Sequence, residues 1–432
     1  MISRNLASEL FSKIRQSQIV LLYLTLFIFY TWLYNAKFSP LGITNNWYWD
    51  SNFGDLQMNL NWIACSRQFR WEIYDLSTAN GCGGFTYGYL IARILGLLGV
   101  NGSLSSIIGN SFFIIFVLVI AFAGGLALRN FGVPFSLVIA IFVSPGFWLA
   151  IVHGSLDIVV FILLFSAFIL SCNGRLLSPF FLVLLTAHLK FFTLPLLYIL
   201  TIQIMFKMRN KLLQLLIGAV LIFTTFFILL NMSKIDWEDP NYRMAQGIFF
   251  VFGIESLPNW VEVAWAKFGF GIVDLSQNWV RPLGIAALLF LSISFVVLSN
   301  IMRSRHLSYF AGYTGTLKSD KALLFFGVPF LSLFLQGQNY DNKLIFASMA
   351  SLALYPRINT AKLRLLLILL LFVMFWFSCF FPDYYSRTAF VVVQFLGDCA
   401  TLMFVAILSI VLFKVYFSQF TPLRIRQKLS RL

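Results

Sequence analysis

Four short segments hold most of the residue types able to do chemistry. The first reads Trp47-Tyr48-Trp49-Asp50-Ser51-Asn52-Phe53-Gly54-Asp55-Leu56. Asp55 opens an amphipathic stretch running to Phe69, with Leu56, Leu60, Ile63 and Cys65 near helical spacing and Arg67 and Arg70 beyond. A carboxylate fixed at the head of a helix suits a general base that takes a proton from an acceptor hydroxyl. The same position suits a helix cap, which accepts bonds from the free N–H groups of the first turn. Asp50 carries the same two readings.

The second segment, His153-Gly154-Ser155-Leu156-Asp157, separates two apolar runs, and Asp157 again stands where a cap would. In the third, His188 and Lys190 sit inside one apolar stretch from Pro179 to Phe206, which Pro195 marks as a helical hairpin. A lysine at membrane depth is costly and is retained for function, or it lies near a helix end and snorkels to the interface. The fourth is Gln336-Gly337-Gln338-Asn339-Tyr340-Asp341-Asn342-Lys343. Tyr, Asn and Lys together can hold an anionic oxygen through charge-assisted bonds; the bland reading is a polar connection between helices. Asp398 lies well inside the last apolar run, where an acid is a functional or pairing candidate. The chain has no phosphate loop, dinucleotide fingerprint, nucleophile motif or metal-ligand spacing, so neither cofactor nor metal is expected.

These segments need elements to position them, and composition says which. Hydrophobic residues are 60% of the 432-residue chain and charged residues only 11%, where a soluble domain has about a quarter charged. So few charges cannot cover a globular surface. The chain therefore reads as an all-α polytopic integral membrane protein, a single domain over 1–432. Apolar runs fall near 18–35, 105–128, 133–152, 157–172, 178–190, 193–207, 211–231, 282–302, 322–337, 343–356, 363–381 and 388–414. Several are shorter than the roughly 20 residues a span needs and suit half-helices buried inside a bundle. Lys13 and Arg15 precede the first run with no small-residue cleavage site behind it, so it reads as a retained span rather than a signal peptide.

Charge gives the expected orientation. With the N-terminus inside, alternation puts 20 basic residues on the cytoplasmic side: Arg4 to Arg15, Arg129, Arg175, Lys207 to Lys211, Arg303 to Lys321, Arg357 to Arg364, and Lys414 to Arg431. Those are 20 of 31 basic residues, accompanied by only Glu9 and Asp320 of 16 acids. Such a bias is the positive-inside distribution, with both termini cytoplasmic, and it accounts for the net charge of +15 without nucleic acid. The four chemical segments then share the outer side. Counting Tyr87–Val100 as a span would reverse the bias, so 36–104 reads as one large first extracytoplasmic loop and 231–281 as a second. Trp237, Trp260, Trp265 and Trp279 suit a loop lying on the membrane surface. Of five cysteines, Cys65 and Cys82 share the first loop and could bridge in an oxidising compartment.

The order of these features resembles the GT-C superfamily of membrane glycosyltransferases, most closely the bacterial polyprenyl-phosphate-sugar-dependent enzymes of glycosyltransferase family 87. The resemblance rests on Gly54-Asp55-Leu56, the aromatic stretch Phe85-Thr86-Tyr87-Gly88-Tyr89, Gly154-Ser155-Leu156-Asp157, Lys190 followed by Pro195, and Tyr340-Asp341-Asn342-Lys343-Leu344. Two details depart from the family pattern: the aromatic stretch lacks its usual proline, and Gly154 to Asp157 replaces a glycine-polar-asparagine turn. The resemblance implies inverting transfer of a hexose (mannose-like) from a polyprenyl-phosphate sugar to a lipid or glycan acceptor, outside the cytoplasmic membrane. Asp55 would match the catalytic aspartate. The leaving lipid phosphate needs preplaced cations and donors, for which His188, Lys190, Tyr340, Asp341, Asn342, Lys343 and Asp157 are the candidates.

A multi-pass transporter or flippase of lipid-linked or small substrates would also show many spans and buried polar residues. Such proteins often carry internal repeats, and none is evident here. A surface-glycan ligase or polymerase shares the donor chemistry without a comparable match.

Overall fold

Apolar side chains at helical spacing build nearly everything in this structure, a computed structural model whose described residues are 2–35, 54–68, 94–207, 210–232, 251–252, 317–335, 339–358, 360–377 and 387–420. Helix α1 (Ile2–Asn35) buries Leu22, Leu26 and Tyr30 and leaves Val20, Leu21, Leu24, Phe27 and Ile28 exposed on another side. Helix α2 (Gly54–Gln68) buries Leu56, Leu60 and Ile63, the stripe that its sequence spacing predicts. Helix α3 (Ser105–Leu126) packs on α1 through Gly124, where a Cβ would stand 2.7 Å from Leu22 Cδ2 and 3.1 Å from Val138 Cγ1. A π-helical turn (Ala127–Phe131) follows and stops at Gly132.

The apolar run expected over 133–152 is not one helix but two, α4 (Phe135–Phe142) and α5 (Pro145–His153). Pro145 has no N–H to continue the ladder, so carbonyls of α4 are released in an apolar interior and must find donors. Two aromatic side chains supply them. Trp376 Nε1 donates to the Ala140 carbonyl (2.8 Å) and the Tyr30 hydroxyl to that of Phe142 (2.5 Å).

Helices α6 (Asp157–Cys172) and α7 (Leu177–Leu189) pack along one another, and a 3₁₀ turn (Phe191–Thr193) leads to α8 (Leu194–Lys207). The hairpin read from Pro179 to Phe206 is thus broken at Lys190. Helix α9 (Lys211–Met232) lies against α8. After the strand β1 (Val251–Phe252) come α10 (Leu317–Ala322), a π-helical turn (Leu323–Gly327) and α11 (Val328–Leu335). Strand β2 (Asn339–Tyr340) and a 3₁₀ turn (Asp341–Leu344) introduce α12 (Ile345–Leu354), and a 3₁₀ turn (Tyr355–Arg357), α13 (Ala361–Phe377) and α14 (Arg387–Phe420) close the chain. Every residue of α12 is buried. A helix apolar on all sides belongs in a core, and α12 packs against the π-helical turn Leu323–Gly327, with Phe346, Phe161 and Phe326 in ring contact around it.

Among the described residues the strands are β1 and β2, which pair antiparallel with Val251 opposite Tyr340 and Phe252 opposite Asn339. Two helical stretches there, Gly102–Phe131 (30 residues) and Lys211–Ile228 (18 residues), are long and apolar enough to cross a membrane. Shorter apolar helices cover Gln16–Trp32, Asp157–Cys172, Leu177–Leu189, Phe191–Met205 and Leu396–Leu412. Large apolar side chains stay exposed in stripes, Leu212, Leu215, Leu216, Ile222 and Phe223 on α9 and Leu365, Leu366, Leu369 and Phe372 on α13. The run at 282–302, the loop tryptophans, Cys82 and Asp50 lie outside the described residues. Of Tyr87–Val100, a short helical turn begins at Ile94 and the residues before it lie outside as well.

The helices join two polar ends. At one end Lys318 Nζ bonds Asn130 Oδ1 (3.2 Å), Lys321 Nζ bonds the Ser171 carbonyl, and Asp320 pairs with Arg357. Asp157, Lys190 and Lys343 lie at the other, since α6, α7 and α12 each run from one group to the other.

Candidate functional site

Helix α5 ends where Gly154 turns into the left-handed region (φ +61), a conformation that a Cβ makes costly. Gly154 N–H bonds the Ile151 carbonyl (3.0 Å) and Ser155 N–H the Ala150 carbonyl (3.1 Å), which closes the helix as a Schellman motif. This turn delivers Ser155 and Asp157 to the start of α6. The Ser155 hydroxyl donates to Asp157 Oδ2 (2.9 Å) and accepts from the Asp157 N–H (3.3 Å). Asp157 therefore does not act as the cap of α6; Ser155 supplies that bond and the Asp157 carboxylate is turned away.

It turns toward Lys190. Lys190 Nζ stands 3.7 Å from Asp157 Oδ1, with the two side chains only 5% and 2% exposed. The lysine thus does not snorkel. Its backbone is extended (φ −146, ψ 113) between α7 and the 3₁₀ turn, and two threonines fix it there. Lys190 N–H bonds the Thr186 carbonyl (2.7 Å), the Thr193 hydroxyl donates to the Lys190 carbonyl (3.1 Å), and the Thr186 and Thr193 hydroxyls meet at 3.1 Å.

The late polar segment comes to the same place. The 3₁₀ turn Asp341–Leu344 packs directly on α5, and Lys343 is buried. Beneath these groups three rings meet: Phe346 touches Phe192 (centroids 5.1 Å) and Phe161 (6.3 Å). Each ring is within about one helical turn of a polar candidate, Phe161 after Asp157, Phe192 after Lys190 and Phe346 after Lys343. Asp157, Lys190 and Lys343 thus gather above one aromatic floor although they come from distant parts of the chain.

Helix α2 reaches this end too. Leu56, Leu60 and Ile63 share an apolar cluster with Leu156, with Val159 packed against it, so the turn and α6 start carry the helix that Asp55 heads. Asp55 is the second residue of α2 and stands one position before buried Leu56. Tyr340 lies in β2, and Asp341 and Asn342 in the turn that follows. His188 is not part of the gathering: its ring meets Phe227 of α9, centroids 5.9 Å apart. Asp398 is buried in α14.

Sequence reading did not single out Ser155 in its bonding role, the Thr186/Thr193 clamp or Val251–Phe252. A Ser two residues before Asp157 and threonines flanking Lys190 on both sides were the available signals. The strand pair had none, because two residues of alternation are too short to read. Among the described residues no group of three or more His, Cys, Asp or Glu lies close enough to hold a metal ion. Protein-family models, curated proteins and solved structures give no match to this chain.

Proposed function

We propose that this chain is a multi-pass membrane glycosyltransferase of GT-C-like architecture, with about twelve spans and both termini cytoplasmic. Exposed apolar stripes on α1, α9 and α13 support the membrane part, because soluble monomers rarely leave such faces in water. Each stripe is a lipid-facing surface, and the short helices between them are lined by protein. The bias of basic residues toward the Lys318–Lys321 end supports a cytoplasmic placement of that end.

One observation carries the enzymatic reading: the Asp55 helix, the Asp157–Lys190 pair and the Lys343 turn meet at the same end, the end opposite the basic one. In this reading Asp55 takes the proton from an acceptor hydroxyl, whose oxygen attacks the anomeric carbon of the donor sugar. The bond from that carbon to the phosphate oxygen breaks with inversion, and the polyprenyl phosphate leaves with the electron pair. Lys343 and Lys190 are, in the same reading, the fixed cations that the developing phosphate charge needs. Asp157 holds Lys190 in position.

The test is transfer of a labelled hexose from a polyprenyl-phosphate sugar by the purified chain in lipid vesicles. Asp55→Asn keeps the shape and caps a helix about as well as Asp, but it accepts no proton. The expected loss is about 10²–10⁴ in rate with unchanged melting temperature. Full transfer by Asp55→Asn would remove Asp55 from the role and bring Asp50 forward. A transporter reading draws on one feature, the break between α4 and α5, since transporters build sites on discontinuous helices. Substrate-dependent flux across sealed vesicles without sugar transfer would favour it.

A further inference from the structure

The basic end holds more than a charge bias. Lys318 and Lys321 on α10 reach across to two different elements, Lys318 to Asn130 in the π-helical turn after α3 and Lys321 to the Ser171 carbonyl at the end of α6. Arg129 stands next to Asn130, exposed. Arg175 is exposed in the turn that closes α6, where its N–H bonds the Leu170 carbonyl (3.2 Å) and the Gly174 N–H bonds that of Ser171 (3.0 Å). Four cations from three segments thus flank one junction. Three carboxylates have described side chains, Asp157, Asp320 and Asp398, and just Asp320 lies at this end. It is taken by Arg357. Among the described side chains at this junction, cations therefore outnumber carboxylates.

An apolar lane leads up to it. Leu118 and Phe122 are exposed on one side of α3, four residues apart, and the exposed Arg129 follows in the π-helical turn that ends this helix. Phe122 meets Phe165 of α6 edge to face (5.9 Å), which sets the lane along the α3–α6 seam that ends at Arg129 and Ser171. Cations at the mouth of an exposed apolar seam match a molecule with an anionic head and long hydrocarbon chains. A free phosphate would use the first feature and not the second.

We propose that Arg129, Arg175, Lys318 and Lys321 bind the headgroup of an anionic phospholipid whose acyl chains lie along Leu118 and Phe122. The proposal rests on the membrane reading above. The experiment uses the full chain purified in neutral detergent and offered phosphatidylglycerol or phosphatidylcholine, with retained lipid counted by native mass spectrometry. Phosphatidylglycerol is expected to be retained preferentially. Arg129→Gln/Arg175→Gln, which removes no described protein contact, should lower retention about fivefold per charge, and adding Lys318→Gln/Lys321→Gln should abolish the preference. Leu118→Ser/Phe122→Ser should weaken retention with every cation in place. Lys211→Gln/Lys362→Gln, on the same face outside the junction, should leave it unchanged. Equal retention of both lipids would overturn the site, as would an equal loss from Lys211→Gln/Lys362→Gln. Full competition by inorganic phosphate would replace the lipid with a soluble phosphate ligand. Recovery of the chain in the soluble fraction would overturn the membrane reading itself, so the two failures are distinct.

Discussion

Lys190 Nζ lies 3.7 Å from Asp157 Oδ1, each side chain almost wholly withdrawn from solvent. Removing one partner of a buried pair strands the other charge, at a cost of about 3–5 kcal/mol. Asp157→Asn and Lys190→Met should each lower unfolding stability in mixed micelles by that order. The double variant should be less destabilised than the worse single one. Simple addition of the two losses would show that the charges are not coupled.

The threonine clamp makes a subtler forecast. Thr193→Val removes the hydroxyl that donates to the Lys190 carbonyl and leaves that acceptor with the Thr193 N–H (3.3 Å), a loss of about 1 kcal/mol. Thr193→Ser keeps the donor and should behave nearly as the parent. If sugar transfer is the activity, Thr193→Val should reduce it while Thr193→Ser restores it. Indistinguishable rates for the two variants would separate the clamp from the site.

Tyr30→Phe and Trp376→Phe test the break between α4 and α5. Each deletes one donor to a released carbonyl, at Phe142 and Ala140 respectively, and each should cost about 1 kcal/mol. Because the two carbonyls belong to one short helix, the double variant should lose more than the sum. Hydrogen exchange over 135–153 is the local readout, and protection left intact in both variants would count against these bonds.

Orientation has a direct check. Single cysteines at Lys211 and Lys318 should resist a membrane-impermeant reagent applied from outside intact cells, and one at Asp341 should react. Labelling of the first two would reverse the topology proposed here.

Where the helices lie was largely written in the run lengths, because an apolar stretch bounded by Arg129, Arg175 or Lys207 has few alternatives. Helix α12 could be read from Lys343 to Pro356 as too short to span alone, and it is fully buried. The α4–α5 break was hidden because Ser144-Pro145 interrupts neither apolarity nor charge; only the position of Pro at a helix start hints at it. Among site residues, Lys190 could be picked out as a lysine inside an apolar stretch and Asp157 as an acid between two apolar runs. Their pairing could not, since it depends on how the α6–α7 hairpin aligns, and periodicity does not encode that. The cap reading of Asp157 failed because the helix begins at Asp157 itself, whose N–H bonds Ser155 Oγ while its carboxylate accepts from the Ser155 hydroxyl.

Strand β1 finds its partner only at β2, with Val251 facing Tyr340, and the turn bearing Lys343 follows at once. During synthesis at about 5–20 residues per second, Val251 and Phe252 are made several seconds before the strand they must join exists. Until then β2 is not there to pair with their backbone N–H and C=O groups. The end that carries Asp157, Lys190 and Lys343 is therefore completed only once β2 has been made, and its maturation is a matter of timing on the ribosome as much as of packing in the finished molecule.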